Sequence, residues 1–259
     1  MIKKFLIRFI FFFFFLFAFN VCFARNINLE NRCLLPSVRL LSYANKSIGS
    51  GVIVKSQLMK DEGYSNIVIS CWHVTKDNKL IVEVPDLNNK IKHYYGTAIY
   101  ENSKYDISVI QFRTDKKLNT AELDLINEID IDDDVISVGY GLSPLPKLGY
   151  GKVITKKHID KSFKDTFFTN IPMVMGDSGG PVFKDNKLVA ISQAIRVIEW
   201  KEGLLPFPNI SVVMPIQRLL NLNKDESGKL DFVLKPECTP PMFPHLFLQM
   251  QEFDKILIK

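Results

Sequence analysis

Cysteine is scarce in this chain, with four in 259 residues, and no two of them stand in a C-x-x-C spacing. A disulfide-dense miniprotein and a zinc site of the usual spacing are thereby excluded. The four histidines are scattered and add no metal-ligand pattern. A broad excess of positive charge is missing as well. The formal charge is +5, but Lys3, Lys4 and Arg8 lie in the first two dozen residues, and the rest of the chain holds 30 basic residues against 28 acidic ones. The basic isoelectric point is thus a property of the N-terminus, and nothing in it points to a nucleic-acid partner. With 47% of residues hydrophobic, a disordered or collagen-like chain is excluded too, and there is enough apolar material for one large or two small cores.

The first 24 residues hold 10 of the 20 phenylalanines and no acid. A positive start, an apolar stretch from Phe9 to Phe19 and the small residues of Cys22-Phe23-Ala24 form the pattern of a secretory signal, with cleavage after Ala24. Eleven apolar residues are too few to cross a membrane, which takes about 20. The expected mature chain is therefore exported, periplasmic or secreted, and free of the membrane. Cys33, Cys71 and Cys238 survive cleavage, an odd number that leaves at least one thiol unpaired. Cys33 and Cys238, near opposite ends, are the two that oxidation could join, and Cys71 reads as a small buried residue.

Beyond the leader, turn residues recur every 8 to 20 positions between segments rich in Val, Ile, Phe and Tyr, the rhythm of an all-β protein. Strands are expected near 38–43, 49–55, 66–70, 80–84, 92–100 and 107–112, then near 135–139, 150–155, 167–169, 181–183, 188–194 and 210–214. Two sets of six suggest two six-stranded antiparallel barrels, since closure removes exposed edges, with a cleft between them as the natural site. Residues 113–134 form a linker with at most one helical turn; its acids Asp130, Asp132, Asp133 and Asp134 lack the spacing of a calcium loop. Pro215 is expected to open a helix with Ile216, Leu219 and Leu220 on one face. The domain, beginning at residue 25, is expected to end near Leu222. The tail 223–259 carries Leu246, Met250, Phe253 and Leu257 at helical spacing and is expected to cap the core.

The most informative segment is Gly176-Asp177-Ser178-Gly179-Gly180-Pro181. Three glycines in five positions mean tightly folded backbone around a serine. A hydroxyl is a weak nucleophile, and backbone N–H groups beside it can receive the negative oxygen that forms when it attacks a carbonyl. Such a serine needs a base. Of the four histidines, His73 sits where the strand-like Ile67-Val68-Ile69-Ser70 gives way to a turn, whereas His93, His158 and His245 lie in polar or tail segments. The imidazole in turn needs a carboxylate to hold its tautomer. Asp106 opens the apolar run Ile107 to Phe112, where a charge without a partner is costly.

The order His73, Asp106, Ser178 with its glycine-rich serine motif resembles the chymotrypsin-like serine peptidases. Within them the chain is most similar to the bacterial HtrA/Deg peptidase domain, through Gly49 to Val54, Asp106 to Ile110, Val138 to Gly141, Ile191 to Ile195 and Met214-Pro215. The likeness runs from about Val38 to Leu222. It implies two barrels with the site between them, and a catalytic triad of His73, Asp106 and Ser178. It also implies an oxyanion hole from the N–H groups of Gly176 and Ser178, protein or peptide substrates, and neither cofactor nor metal. By family position the substrate pocket is lined near Pro172, Met173, Gln193, Ala194 and Ile195; none is acidic, so a medium apolar side chain is expected before the cut bond. The chain departs from trypsins in having Val74 after the histidine, and it lacks the Ile-Val terminus that pairs with the acid before the serine, so Asp177 must find another partner. HtrA proteins usually continue into a PDZ domain, for which residues 223–259 are too few. A catalytically silent peptide-binding module of the same fold is the alternative function; an esterase of the α/β kind runs Ser, Asp, His and is opposed by the order here.

Overall fold

The computed structural model describes residues 31–239 apart from 43–47, 61–62, 77–78, 87, 89, 142, 157–165, 201–202 and 236–237. The leader and the amphipathic tail segment lie outside the described residues. The chain divides into the units Met1–Arg32 and Cys33–Lys259, and the strands all belong to the second.

Twelve strands are described. The first six are β1 (Ser37–Ser42), β2 (Ile48–Met59), β3 (Gly63–Ser70), β4 (Lys79–Pro85), β5 (Ile91–Asn102) and β6 (Ile107–Thr114). They close into an antiparallel barrel in the order β1-β2-β3-β6-β5-β4. The second six are β7 (Asp134–Gly139), β8 (Lys147–Thr155), β9 (Phe167–Thr169), β10 (Pro181–Lys184), β11 (Lys187–Trp200) and β12 (Gly203–Pro215). They close in the order β10-β11-β12-β9-β8-β7. The all-β, two-barrel expectation is met strand for strand.

Side-chain alternation explains the barrel walls. In β4, Leu80, Val82 and Val84 are buried at every second position. Of the intervening residues, Glu83 is covered by Arg39 at 2.8 Å and His93 at 3.0 Å. A carboxylate buried to that degree needs such partners. Register shifts between Ile53 and Lys55 in β2 and between Ala98 and Tyr100 in β5 supply the extra bend that closure requires.

The two barrels share buried surface. Val138, Phe183, Leu188, Ile191 and Met214 of the second barrel belong to the same apolar cluster as Val52, Ile69 and Val109 of the first. The buried Tyr140 hydroxyl donates to the Ser37 carbonyl at 2.8 Å across that boundary. The linker is extended and contains no helix among its described residues. Ala121 N–H donates to Ile53 O at 2.8 Å, Asp124 N–H to Leu188 O at 2.9 Å, and Leu188 N–H to Glu122 O at 2.7 Å.

Three features differ from expectation. The hairpin of β11 and β12 is longer than predicted, pairing as far as Trp200 with Gly203, and β12 runs through Pro206 and Pro208. Pro215 ends β12 rather than opening a helix, and the helix α2 covers Arg218–Asp225 after α1 at Trp72–Thr75. Its buried face carries Leu219 and Leu222, while Leu220 is exposed. Pro215 lacks an N–H but pairs with Ala190 at the strand end, where proline is tolerated. A further turn, α3 (Asp231–Leu234), comes after it. Leu230 and Val233 there join the buried cluster beyond Leu222. Cys33 and Cys238 are not joined to each other, and Cys71 and Cys238 are free thiols. Among the described residues no helix is long and apolar enough to cross a membrane.

Candidate active site

β3 ends at Ser70, and the chain turns at once into α1, anchored by the buried Val74 and Thr75. This places His73 on the outer side of the turn with its side chain 44% exposed. Asp106 stands one residue before β6 with φ of 54°. That left-handed backbone, which aspartate tolerates better than most residues, directs the carboxylate back at His73 instead of along the strand. Oδ1 accepts the backbone N–H of His73 at 2.9 Å. The ring Nδ1 lies 2.8 Å from Oδ2 and 3.0 Å from Oδ1. A carboxylate only accepts, so the bond assigns the proton to Nδ1 and leaves the Nε2 lone pair free. Gln193 Nε2 donates to Asp106 Oδ2 at 3.3 Å.

The serine loop is held by the first barrel. Ser50 of β2 donates its N–H to Ser178 O at 2.8 Å and its hydroxyl to Gly176 O at 2.8 Å. Ser50 Oγ also accepts the Tyr140 N–H at 3.1 Å. Gly176 and Gly179 both have left-handed φ, +96° and +85°. A Cβ at Gly176 would collide with the Gly141 carbonyl, and one at Gly179 with Ser70 Oγ and Ser50 O. Only glycine fits either place. Among the described residues, the N–H groups of Gly176 and Ser178 donate to no protein acceptor. The Ser178 hydroxyl donates to Gln193 O at 3.4 Å.

His73, Asp106 and Ser178 line one cavity of about 380 Å³ with Met173, Val174, Met175, Asp177, Ser192, Gln193, Ala194 and Ile195. Met173, Gln193, Ala194 and Ile195, expected near the pocket by family position, line this cavity. Pro172 is not: it is exposed and outside the cavity lining, because the extended chain buries Ile171 and turns Pro172 outward before Met173. Of the other histidines, His93 pairs with Glu83 on the first barrel, and His158 and His245 lie outside the described residues.

Asp177 finds its partners in backbone. Val174 N–H donates to Oδ2 at 2.8 Å, and Gly141 N–H supports the carboxylate as well. Burial nevertheless pushes its carboxyl above the ordinary range, against those two donors and the field of Lys147. Cys71, fully buried beneath His73, donates its thiol to Ser192 O at 3.4 Å. Burial first, then the neighbouring Asp106 charge, pushes that thiol well above its usual value. Ser50 and Ser192 are site residues that the sequence did not reveal; the Gly49-Ser50-Gly51 triplet was the only signal for the first.

The arrangement offers a hydroxyl and an imidazole held by a carboxylate in one cavity, beside a loop with two N–H groups that donate to no acceptor among the described residues. A family model described as "Trypsin-like peptidase domain" matches residues 49–191. Solved structures that the chain resembles include Deg5, with a TM-score of 0.60 and 17% identity over 76% of this chain and 91% of that one. They also include the HtrA-type protease AlgW with a tripeptide, with a TM-score of 0.61 and 18% identity over 77% of this chain. The chain spans 62% of the AlgW chain's length. At these identities the likeness is one of fold. No curated protein matches the chain.

Proposed function

The chain belongs to the trypsin-like peptidase family, and from that premise we propose that it is a serine endopeptidase working through His73, Asp106 and Ser178. The observation that carries the reading is the paired contact of His73 Nδ1 with the Asp106 carboxylate at 2.8 and 3.0 Å, in a cavity shared with Ser178.

Ser178 Oγ leaves the Gln193 carbonyl, turns to His73 Nε2 and gives it a proton as it attacks the substrate carbonyl carbon. Asp106 holds the ring and stabilises the imidazolium that results. The N–H groups of Gly176 and Ser178 receive the oxyanion. The tetrahedral intermediate collapses as His73 returns the proton to the departing amine, leaving an acyl group on Ser178. Water then repeats the sequence, with His73 as base, and frees the acid product. Met173, Ala194 and Ile195 give the cavity an apolar lining, which fits a medium apolar side chain before the cut bond. The leader directs export, with cleavage after Ala24; a secreted form beginning at Arg25 supports that, and one retaining the leader overturns it.

A fluorophosphonate probe tests the chemistry. Wild type is expected to label on Ser178 and to cleave a denatured protein, and Ser178→Ala to do neither. The competing reading, a peptide-binding module without turnover, draws on the bond from Ser178 Oγ to Gln193 O instead of His73. A wild-type protein that binds peptide but neither labels nor cleaves establishes that reading instead.

A further inference from the structure

Cys71 Sγ, a ring nitrogen of His73 and an Asp106 carboxylate oxygen all lie within 4.8 Å of one another, and it is Nδ1 that faces the carboxylate. Their spacing in sequence, two residues and then 33, is unlike any metal motif. The fold brings them together because α1 begins directly after Cys71 and Asp106 folds back over the same turn.

We propose that these three atoms form a binding site for a thiophilic divalent cation, Zn²⁺ or Cd²⁺, and that its occupancy switches the triad off. Thiolate, imidazole and carboxylate are the donor types such ions take. With metal-to-ligand lengths of about 2.0 to 2.3 Å, a tetrahedral ion separates its ligand atoms by roughly 3.3 to 3.8 Å. The His73–Asp106 pair at 2.8 Å opens slightly to reach that spacing, and the thiol closes on it from below. Solvent reaches the imidazole and the carboxylate, 44% and 20% exposed, so an ion enters from the cleft and meets the buried sulfur last. A second oxygen donor stands by: Ser192, 1% exposed, lines the same cavity, and its hydroxyl has no hydrogen-bond partner among the described residues.

Binding forms bonds from the ion to sulfur, nitrogen and oxygen. The Cys71 S–H and His73 Nδ1–H protons pass to solvent, and no oxidation accompanies them. The thiol's bond to Ser192 O is given up in exchange. The ion then occupies the space of the Nδ1–H to Asp106 bond on which the imidazole's basicity depends, so it is an inhibitor and not a cofactor. The inhibitory effect rests on the proposed serine peptidase reading; binding itself does not.

The experiment titrates Cd²⁺ into the full mature chain and into its Cys71→Ala, Cys238→Ala and Asp106→Asn variants. It reads the ultraviolet sulfur-to-cadmium charge-transfer band and, in parallel, the fluorophosphonate labelling rate against each variant's own metal-free rate. Expected is one ion per chain with a band in wild type and Cys238→Ala, and a labelling rate reduced about tenfold or more at saturation. Cys71→Ala loses the band and the inhibition. Asp106→Asn keeps the thiol and the ring but binds at least roughly 10-fold more weakly, and it serves if Cys71→Ala does not fold. A band that survives in Cys71→Ala, or vanishes in Cys238→Ala, overturns the site. Wild type that never labels without metal sinks the peptidase reading alone, and the band still decides the site.

Discussion

Ser50 and Ser178 belong to different barrels, yet the backbone N–H of Ser50 donates to the Ser178 carbonyl at 2.8 Å. The hydroxyl of the same residue holds the Gly176 carbonyl and takes the Tyr140 N–H. With both carbonyls of the serine loop engaged by the neighbouring barrel, the N–H groups of Gly176 and Ser178 are left available to a substrate. The geometry of a candidate oxyanion hole in one half of the protein is thus set by a residue in the other.

Ser50→Ala removes the hydroxyl and leaves the buried Tyr140 N–H without its acceptor. An unsatisfied buried donor costs about 1 to 3 kcal/mol, so denaturant melts are expected to shift by that amount. Turnover per folded molecule is expected to fall about tenfold or more, since one oxyanion donor alone is worth roughly 10²-fold. A variant with unchanged turnover refutes the clamp.

Asp106→Asn keeps the size and the left-handed backbone preference but offers His73 Nδ1 a donor as well as an acceptor. The ring then no longer has a single favoured tautomer. The turnover number is expected to drop by about 10⁴-fold, the order of loss this change brings to a Ser-His-Asp triad, with the fold intact by circular dichroism. A loss of only a few fold assigns the orienting role elsewhere.

The raised carboxyl of Asp177 sets a pH signature. Because the fold favours its neutral form, this group's contribution to stability is complete below the ordinary value of 3.8 and is given up as pH rises through the higher folded value. Asp177→Asn stays neutral throughout. Its melting temperature relative to wild type is therefore expected to climb between about pH 3 and pH 7. A flat or falling difference contradicts the assignment.

Gly179→Ala introduces a Cβ at φ of +85°, against Ser70 Oγ and the Ser50 carbonyl. The backbone alone costs about 1 to 2 kcal/mol, and the collision with main chain adds to it. Destabilisation above roughly 2 kcal/mol is expected. A variant as stable as wild type shows that the loop has room that the distances deny.

The twelve strands were legible because each is a run of β-branched and aromatic residues cut off by turn formers, a signal local to the run. His73 and Asp106 stood out for a different reason, each beside a strand-like run where its residue type is otherwise out of place, and Ser178 stood out through the three glycines around it. Ser50 was not, since its three bonds reach Gly176, Ser178 and Tyr140, more than 80 positions away in the chain, and no pattern within β2 announces them. Cys71 reads correctly as small and buried, but only the fold puts Asp106 beside it. Proline misled at 215, where it ends β12 instead of opening a helix. Its cost depends on whether the missing N–H would have had an acceptor, which the sheet order decides and the sequence does not state.

The segment joining the barrels is stitched to both, through Ala121 to Ile53 and through Glu122 and Asp124 to Leu188. Just past those stitches the chain bulges outward at Ile126, which is 90% exposed. A break in the backbone at that bulge would leave two fragments still in contact along the shared apolar wall.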